Sequence, residues 1–228
     1  MTLLSNCKLT YFGIVGGRVE ACRLALSLGN IAFQDDRISF PEWKDFKPKT
    51  PFGSVPVLTL EDGTQLAQQR AILRLIGKET NLYPTSDHLL AAKVDSLVDA
   101  TEDLFPKTNA VGQGLPQTEK EAARKAAIEQ GGEIYAMLQK IDAFVAANGS
   151  NGFAVGSSLT IADLVLFSMT GSIVSGLYDG IPLTAMDAFA NITTVRKTVR
   201  AHPGVVKYFD GLDDAVKEKI PGSFQPLV

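Results

Sequence analysis

Cys7 and Cys22 are the only cysteines of the chain, and His88 and His202 the only histidines, so familiar catalytic constellations have little to draw on. The cysteines form no CxxC motif and no disulfide framework, and two histidines cannot assemble a zinc set or a Ser-His-Asp arrangement. Both cysteines read as small core residues. More chemistry is legible in "PFGSVPVLTLEDGTQLAQQRAI", residues 51–72, where Val55-Pro56 stands in strand-like sequence and Gln68-Gln69 opens a helical pattern. Proline removes a donor from the strand ladder, so it belongs at the start or edge of a strand. A trans bond there begins a plain edge strand. A cis bond, present at roughly 5–6% of X–Pro positions, would leave the Val55 N–H and C=O free to pair with an extended peptide.

The elements that must position these residues fall into two kinds. Residues 8–12 alternate like a strand and stop at Gly13; "GIVGGRVEACRLALSLGN" then gives a glycine-rich entry, helical spacing at Val19, Cys22 and Leu26, and a stop at Gly29-Asn30. "IAFQDDRIS" is a second strand, a Trp43-bearing segment follows, and "SVPVLTL", "EDG" and "TQLA" read as strand, turn and strand. A helix runs from Gln69 to about Glu79. After Tyr83-Pro84 no strand is evident. "LLAAKVDSLVDATEDLF" puts Leu90, Val94, Leu97, Val98, Thr101 and Leu104 on one face, and "EKEAARKAAIEQGGEIYAMLQKIDAFVAA" reads as one further long amphipathic stretch. "GQGLPQ" and "ANGSNGF" are breaks. "SLTIADLVLF" carries a helix start, with Thr160 as cap, Asp163 three residues on, and Leu159 and Leu164 placed for a hydrophobic staple. The expected architecture is α/β plus all-α: a βαβαββα domain over residues 1–84 and a helical bundle over residues 90–228.

With 228 residues, 45% hydrophobic and 21% charged, and a formal charge of -3, the chain can bury a sizeable core but offers no footprint for nucleic acid or an anionic membrane. The apolar part of Met1 to Lys8 is too short for a signal peptide, and no apolar run reaches the ~18 residues of a membrane span. A cytoplasmic protein is expected.

The β-α-β-hairpin-α order with an apolar residue before proline at the third strand resembles the thioredoxin fold. The combination "KLTYF", "GGRVEACRLALSLGN", "EWKDFKP", "PFGSVPVL" and "QLAQQRAILRLIGKETNLYP" resembles cytosolic glutathione S-transferases of the tyrosine type, the sigma, alpha, mu and pi classes. "VDATEDL", "SLTIADLVLFS" and "AHPGVVKYF" extend the resemblance over nearly the whole chain. It implies a homodimeric transferase that conjugates glutathione, as co-substrate and without a metal, to small apolar electrophiles.

In such proteins the tripeptide lies extended on the first domain. The resemblance then implies that Gln68 and Gln69, at the start of a helix, hold the γ-glutamyl carboxylate, that Val55, preceding Pro56, pairs with the cysteinyl backbone, and that Trp43 and Lys47 meet the glycyl carboxylate. Without it, Trp43 and Lys47 read as a buried indole and a solvated lysine. Tyr11 is the expected catalytic residue: a phenol donating to sulfur favours the thiolate, the nucleophilic form of a thiol whose ordinary pKa is ~8.5. Arg18 would add positive charge near the sulfur, although its interval from Tyr11 is one residue longer than usual, and a surface salt bridge is the other reading. Asp103 would reach the γ-glutamyl ammonium across a dimer interface, or be an ordinary helix-surface carboxylate. Phe52 either inserts into the partner subunit or packs in its own domain. Gln69 stands where most members carry Ser or Thr, which implies weaker glutathione binding. Phe12, Asn109, Val111 and the tail "SFQPLV" are expected to line the electrophile pocket. A prostaglandin isomerase and a non-catalytic, crystallin-like relative remain open beside conjugation.

Overall fold

The computed structural model describes residues 3–225. β1 (Cys7–Phe12) is central in a four-stranded sheet of order β2-β1-β3-β4, running parallel to β2 (Phe33–Ile38) and antiparallel to β3 (Val57–Thr59). β4 (Gln65–Ala67) pairs antiparallel with β3 across the Asp62-Gly63 turn. A parallel neighbour needs a crossover, which α1 (Glu20–Leu28) supplies between β1 and β2. Its apolar face, Ala21, Leu24, Ala25 and Leu26, is buried, as are Ile72, Leu73 and Ile76 of α3 (Gln69–Glu79), which packs against it. α2 (Phe40–Phe46) starts with a capping box in which the Ser39 N–H donates to Glu42 Oε2 at 2.7 Å. The order βαβαββα is thus the one expected.

From residue 88 onward the described chain is helical: α4 (His88–Glu102), α5 (Leu104–Ala110), α6 (Gln117–Ile128), α7 (Glu133–Ala146), α8 (Ile161–Ile173), α9 (Ala190–Ala201), α10 (Pro203–Asp210) and α11 (Asp214–Lys217). α8 is buried on every side and packs against α1, α4 and α9. Each fully buried Leu, Val or Phe there contributes roughly 1.5–3 kcal/mol. Its start is fixed as the sequence suggested: Asp163 accepts from the Thr160 N–H and Oγ1, both at 2.8 Å, and from the Ala154 N–H at 2.7 Å. Burial raises the Asp163 carboxyl to about 6 against the lowering effect of these donors.

The long amphipathic stretch is two helices, α6 and α7, not one. Gly131 adopts φ +95°, and a Cβ on Gly132 would lie 2.3 Å from the carbonyl oxygens of Ala126 and Ala127, so the chain doubles back where only glycine fits. Leu104 likewise belongs to α5 and not to the helix of Leu90 to Thr101. Phe224 of the tail is fully buried in the core and lines no open pocket; Pro226 to Val228 lie outside the described residues.

Candidate active site

Tyr11 sits one residue from the end of β1, opposite Arg37 of β2, and is 7% exposed. The loop after it is tied down at successive residues. The Ile14 carbonyl accepts from Arg23 Nη1 at 2.7 Å, the Gly16 N–H donates to Glu20 Oε2 at 2.9 Å, and the Gly17 N–H donates to Ser172 Oγ of α8 at 2.7 Å. Arg23 and Glu20 are fully buried and paired at 3.3 Å, with Arg23 also bound to Asp35 at 3.0 Å. This network holds the turn against Tyr11, where a Cβ on Gly17 would lie 3.4 Å from the phenolic oxygen, and the Arg18 backbone N–H lowers the phenol's pKa. Burial pushes that pKa up most; the Arg18 charge offsets it in part.

Arg18 faces the other way with its side chain. The guanidinium lies 4.4 Å from the Phe105 ring centroid and its Nε is 3.4 Å from Glu102 Oε2, so the longer interval from Tyr11 is absorbed by the glycine turn without expelling Arg18 to the surface. Arg18, Ser54, Val55, Pro56, Gln68, Gln69, Arg70 and Glu102 enclose a cavity of about 100 Å³. Here the Val55-Pro56 bond is cis. Gln68, capping α3, has φ +72°, a conformation that costs a non-glycine residue of order 1 kcal/mol or more. Gln69 is 5% exposed, and neither its Nε2 nor its Oε1 has a hydrogen-bond partner; Glu102 Oε1 is also buried and unpaired. Burial raises the Glu102 carboxyl to about 7, with the Arg18 charge pulling it down. A small recess lined by unpaired donors and acceptors beside two arginines is suited to a zwitterionic head carrying both carboxylate and ammonium.

The remaining expected residues are placed nearby or turned outward. Trp43 of α2 packs edge-on against Phe12 with centroids 5.8 Å apart, and Lys47, in the 3-10 turn that follows, is exposed above Gly53. Neither lines the cavity. Asp103 is exposed and does not line the recess; its neighbour Glu102 is the carboxylate that does. Sequence reasoning passed over Glu102, although the spacing of the buried Val94 and Val98 on α4 places residue 102 on the same face. Phe12, expected in the electrophile pocket, stacks on Phe40 with centroids 4.7 Å apart, whereas Asn109 has a polar setting: the Tyr178 hydroxyl donates to Asn109 Oδ1 at 3.1 Å, and the Arg124 guanidinium lies 5.3 Å from the Tyr178 ring centroid. Cys22, fully buried, directs its thiol to the Gln69 carbonyl at 3.9 Å. Among the described residues no group of three or more His, Cys, Asp or Glu could hold a metal ion, and no helix is long and apolar enough to cross a membrane.

Comparison with known proteins puts these features in a family. Residues 7–78 match the model for the glutathione S-transferase N-terminal domain and residues 107–211 that for the C-terminal domain. Glutathione S-transferase 1 of Ascaris suum is 36% identical over 70% of this chain and 76% of its own length. The hematopoietic prostaglandin D synthase of Gallus gallus is 29% identical over 90% of this chain and 96% of its own. The structure of a glutathione S-transferase described as monomeric, Na-GST-3 from Necator americanus, superposes with a TM-score of 0.73 at 27% identity, covering 92% of this chain and 98% of that one. The chain belongs to the glutathione S-transferase family.

Proposed function

We propose that the protein is a tyrosine-type glutathione transferase, conjugating the glutathione thiolate to small hydrophobic electrophiles, with Tyr11 as the group that holds the sulfur anionic. The observation that carries this reading is the position of Arg18, which follows the Gly16-Gly17 turn packed on Tyr11, lowers the Tyr11 pKa through its charge and backbone N–H, and lines the cavity of Val55, Gln68 and Gln69. A tripeptide with its γ-glutamyl head in that cavity and its cysteinyl backbone along Val55 would carry its thiol toward Tyr11. Gln68, Gln69 and Arg70 receive the γ-glutamyl carboxylate, the Arg18 charge supports the thiolate, and Trp43 and Lys47 take the glycyl carboxylate. Pro56 fixes the direction of the Val55 backbone. One phenolic hydrogen bond with the Arg18 charge can lower a thiol pKa by about two units, enough to make thiolate dominant near neutrality.

The decisive experiment is the ultraviolet spectrum of the glutathione complex titrated with pH. A thiolate band near neutral pH that moves to alkaline pH in Tyr11→Phe supports the assignment; no band at any glutathione concentration would leave a binding protein without turnover. An activity panel of aryl halides, enals, hydroperoxides and a prostaglandin endoperoxide identifies the acceptor class.

The active unit is proposed to be a homodimer in the cytoplasm. Phe52 is 68% exposed, and a groove of about 320 Å³ between α4 and α7, lined by Leu97, Ala100, Met137, Ile141 and Phe144 among others, would receive such a side chain from a second copy. In that dimer Asp103 would reach the γ-glutamyl ammonium bound to the other subunit. Sedimentation of the wild type and of Phe52→Ala tests this: a monomeric wild type would refute it.

A further inference from the structure

Phe224, near the C-terminus, is fully buried against the glycine turn that follows Tyr11. A Cβ on Gly16, whose φ is +93°, would come within 2.9 Å of Phe224 Cε2, and one on Gly171 of α8 within 2.8 Å of Phe224 Cζ. The ring therefore fills the space between the turn and α8, leaving neither glycine room for a side chain. Its own place is fixed from the far side. The Phe224 carbonyl accepts from Arg200 Nε at 2.6 Å, the Ser223 carbonyl accepts from Arg196 Nη2 at 2.9 Å, and the ring meets Phe167 edge-on with centroids 5.4 Å apart.

Ser172 acts at the same point. Its hydroxyl donates to the Ser168 carbonyl at 2.7 Å, which leaves an oxygen lone pair to accept the Gly17 N–H at 2.7 Å. The turn lies directly on Tyr11: a Cβ on Gly17 would come within 3.4 Å of the phenolic oxygen and 3.7 Å of ring carbon Cε1, and the N–H of the next residue, Arg18, lowers the phenol's pKa. We infer that Phe224 and Ser172 are positioning residues for thiol activation: they clamp the Gly16-Gly17 turn so that the Arg18 N–H stays aimed at the phenolic oxygen of Tyr11. This rests on the proposed role of Tyr11.

The test compares Phe224→Leu and Ser172→Ala with Phe209→Leu, whose ring belongs to the same aromatic cluster without touching the turn. Phe224→Leu and Ser172→Ala should raise the pKa of enzyme-bound glutathione by about half to one unit, a 3- to 10-fold loss of thiolate relative to thiol below that pKa. The kcat at pH 6.5 should fall by the same factor and recover at pH 9, with the glutathione KM changed less than twofold. Phe209→Leu should lower Tm and leave the thiolate titration where it was. If Phe224→Leu and Ser172→Ala lower Tm but leave the pH profile unmoved, both are only core residues and the inference fails. Should Phe224→Leu not fold, Ser172→Ala decides by the same readouts. If Tyr11→Phe itself leaves the thiolate band in place, the underlying assignment of Tyr11 fails instead.

Discussion

The two ends of the site are built in opposite ways. At the Tyr11 end the loop from Ile14 to Gly17 is held by Arg23 and Glu20 of α1 and Ser172 of α8, each through a hydrogen bond of 2.7–2.9 Å. At the other end the cavity keeps Gln69 and Glu102 buried with atoms unpaired, and Gln68 in a left-handed conformation. A buried polar atom without a partner costs ~1–3 kcal/mol, so folding alone does not account for that arrangement. Under the proposed function the contrast has a meaning: activation of a thiol needs fixed geometry, whereas binding a charged head needs groups kept available for it.

Four substitutions can break or sharpen this contrast. Tyr11→Phe should reduce kcat at neutral pH by about 100-fold, ~2.7 kcal/mol, with the melting temperature nearly unchanged; steady-state rates and a thermal melt measure both. Glu102→Gln should alter the pH dependence of stability. The Glu102 carboxyl is about 7 in the folded chain against an ordinary 4.5, so its stabilising contribution is complete below 4.5 and lost as pH rises through 7. Relative to the wild type, Glu102→Gln should therefore gain ~2 kcal/mol between pH 5 and 8 in denaturant titrations, and a pH-independent difference would refute the shift. Gln69→Ser replaces two orphaned polar atoms by one hydroxyl at the helix start; glutathione KM should drop severalfold and stability rise by about 1 kcal/mol. Gln68→Gly relieves the positive φ and should raise stability by under ~1 kcal/mol while weakening glutathione binding, as read by calorimetry. Loss of both stability and affinity would show that Gln68 is a structural cap.

Local patterns carried much of this. Tyr11 at a strand end, the Gly29 stop, the hairpin at Asp62-Gly63, the helix beginning at Gln69 and the Thr160–Asp163 start were readable because each depends on neighbours in sequence. The features that escaped depend on distant segments. Nothing around Ser172 or Phe224 announces a role beside Gly16 and Gly17, since that contact joins residues at opposite ends of the chain. Glu102 was hidden behind Asp103 because a buried carboxylate becomes tolerable only when Arg18 arrives from another element. The break between α6 and α7 was signalled by Gly131-Gly132 but outweighed by strong helical periodicity on both sides.

Cys7 and Cys22 are both fully buried, and burial pushes both thiols above their ordinary range, Cys22 far above it. The folded surface therefore presents no thiol to a reagent in solution. That protection is a property of packing, and a maleimide reagent should leave the native chain unlabelled until it unfolds.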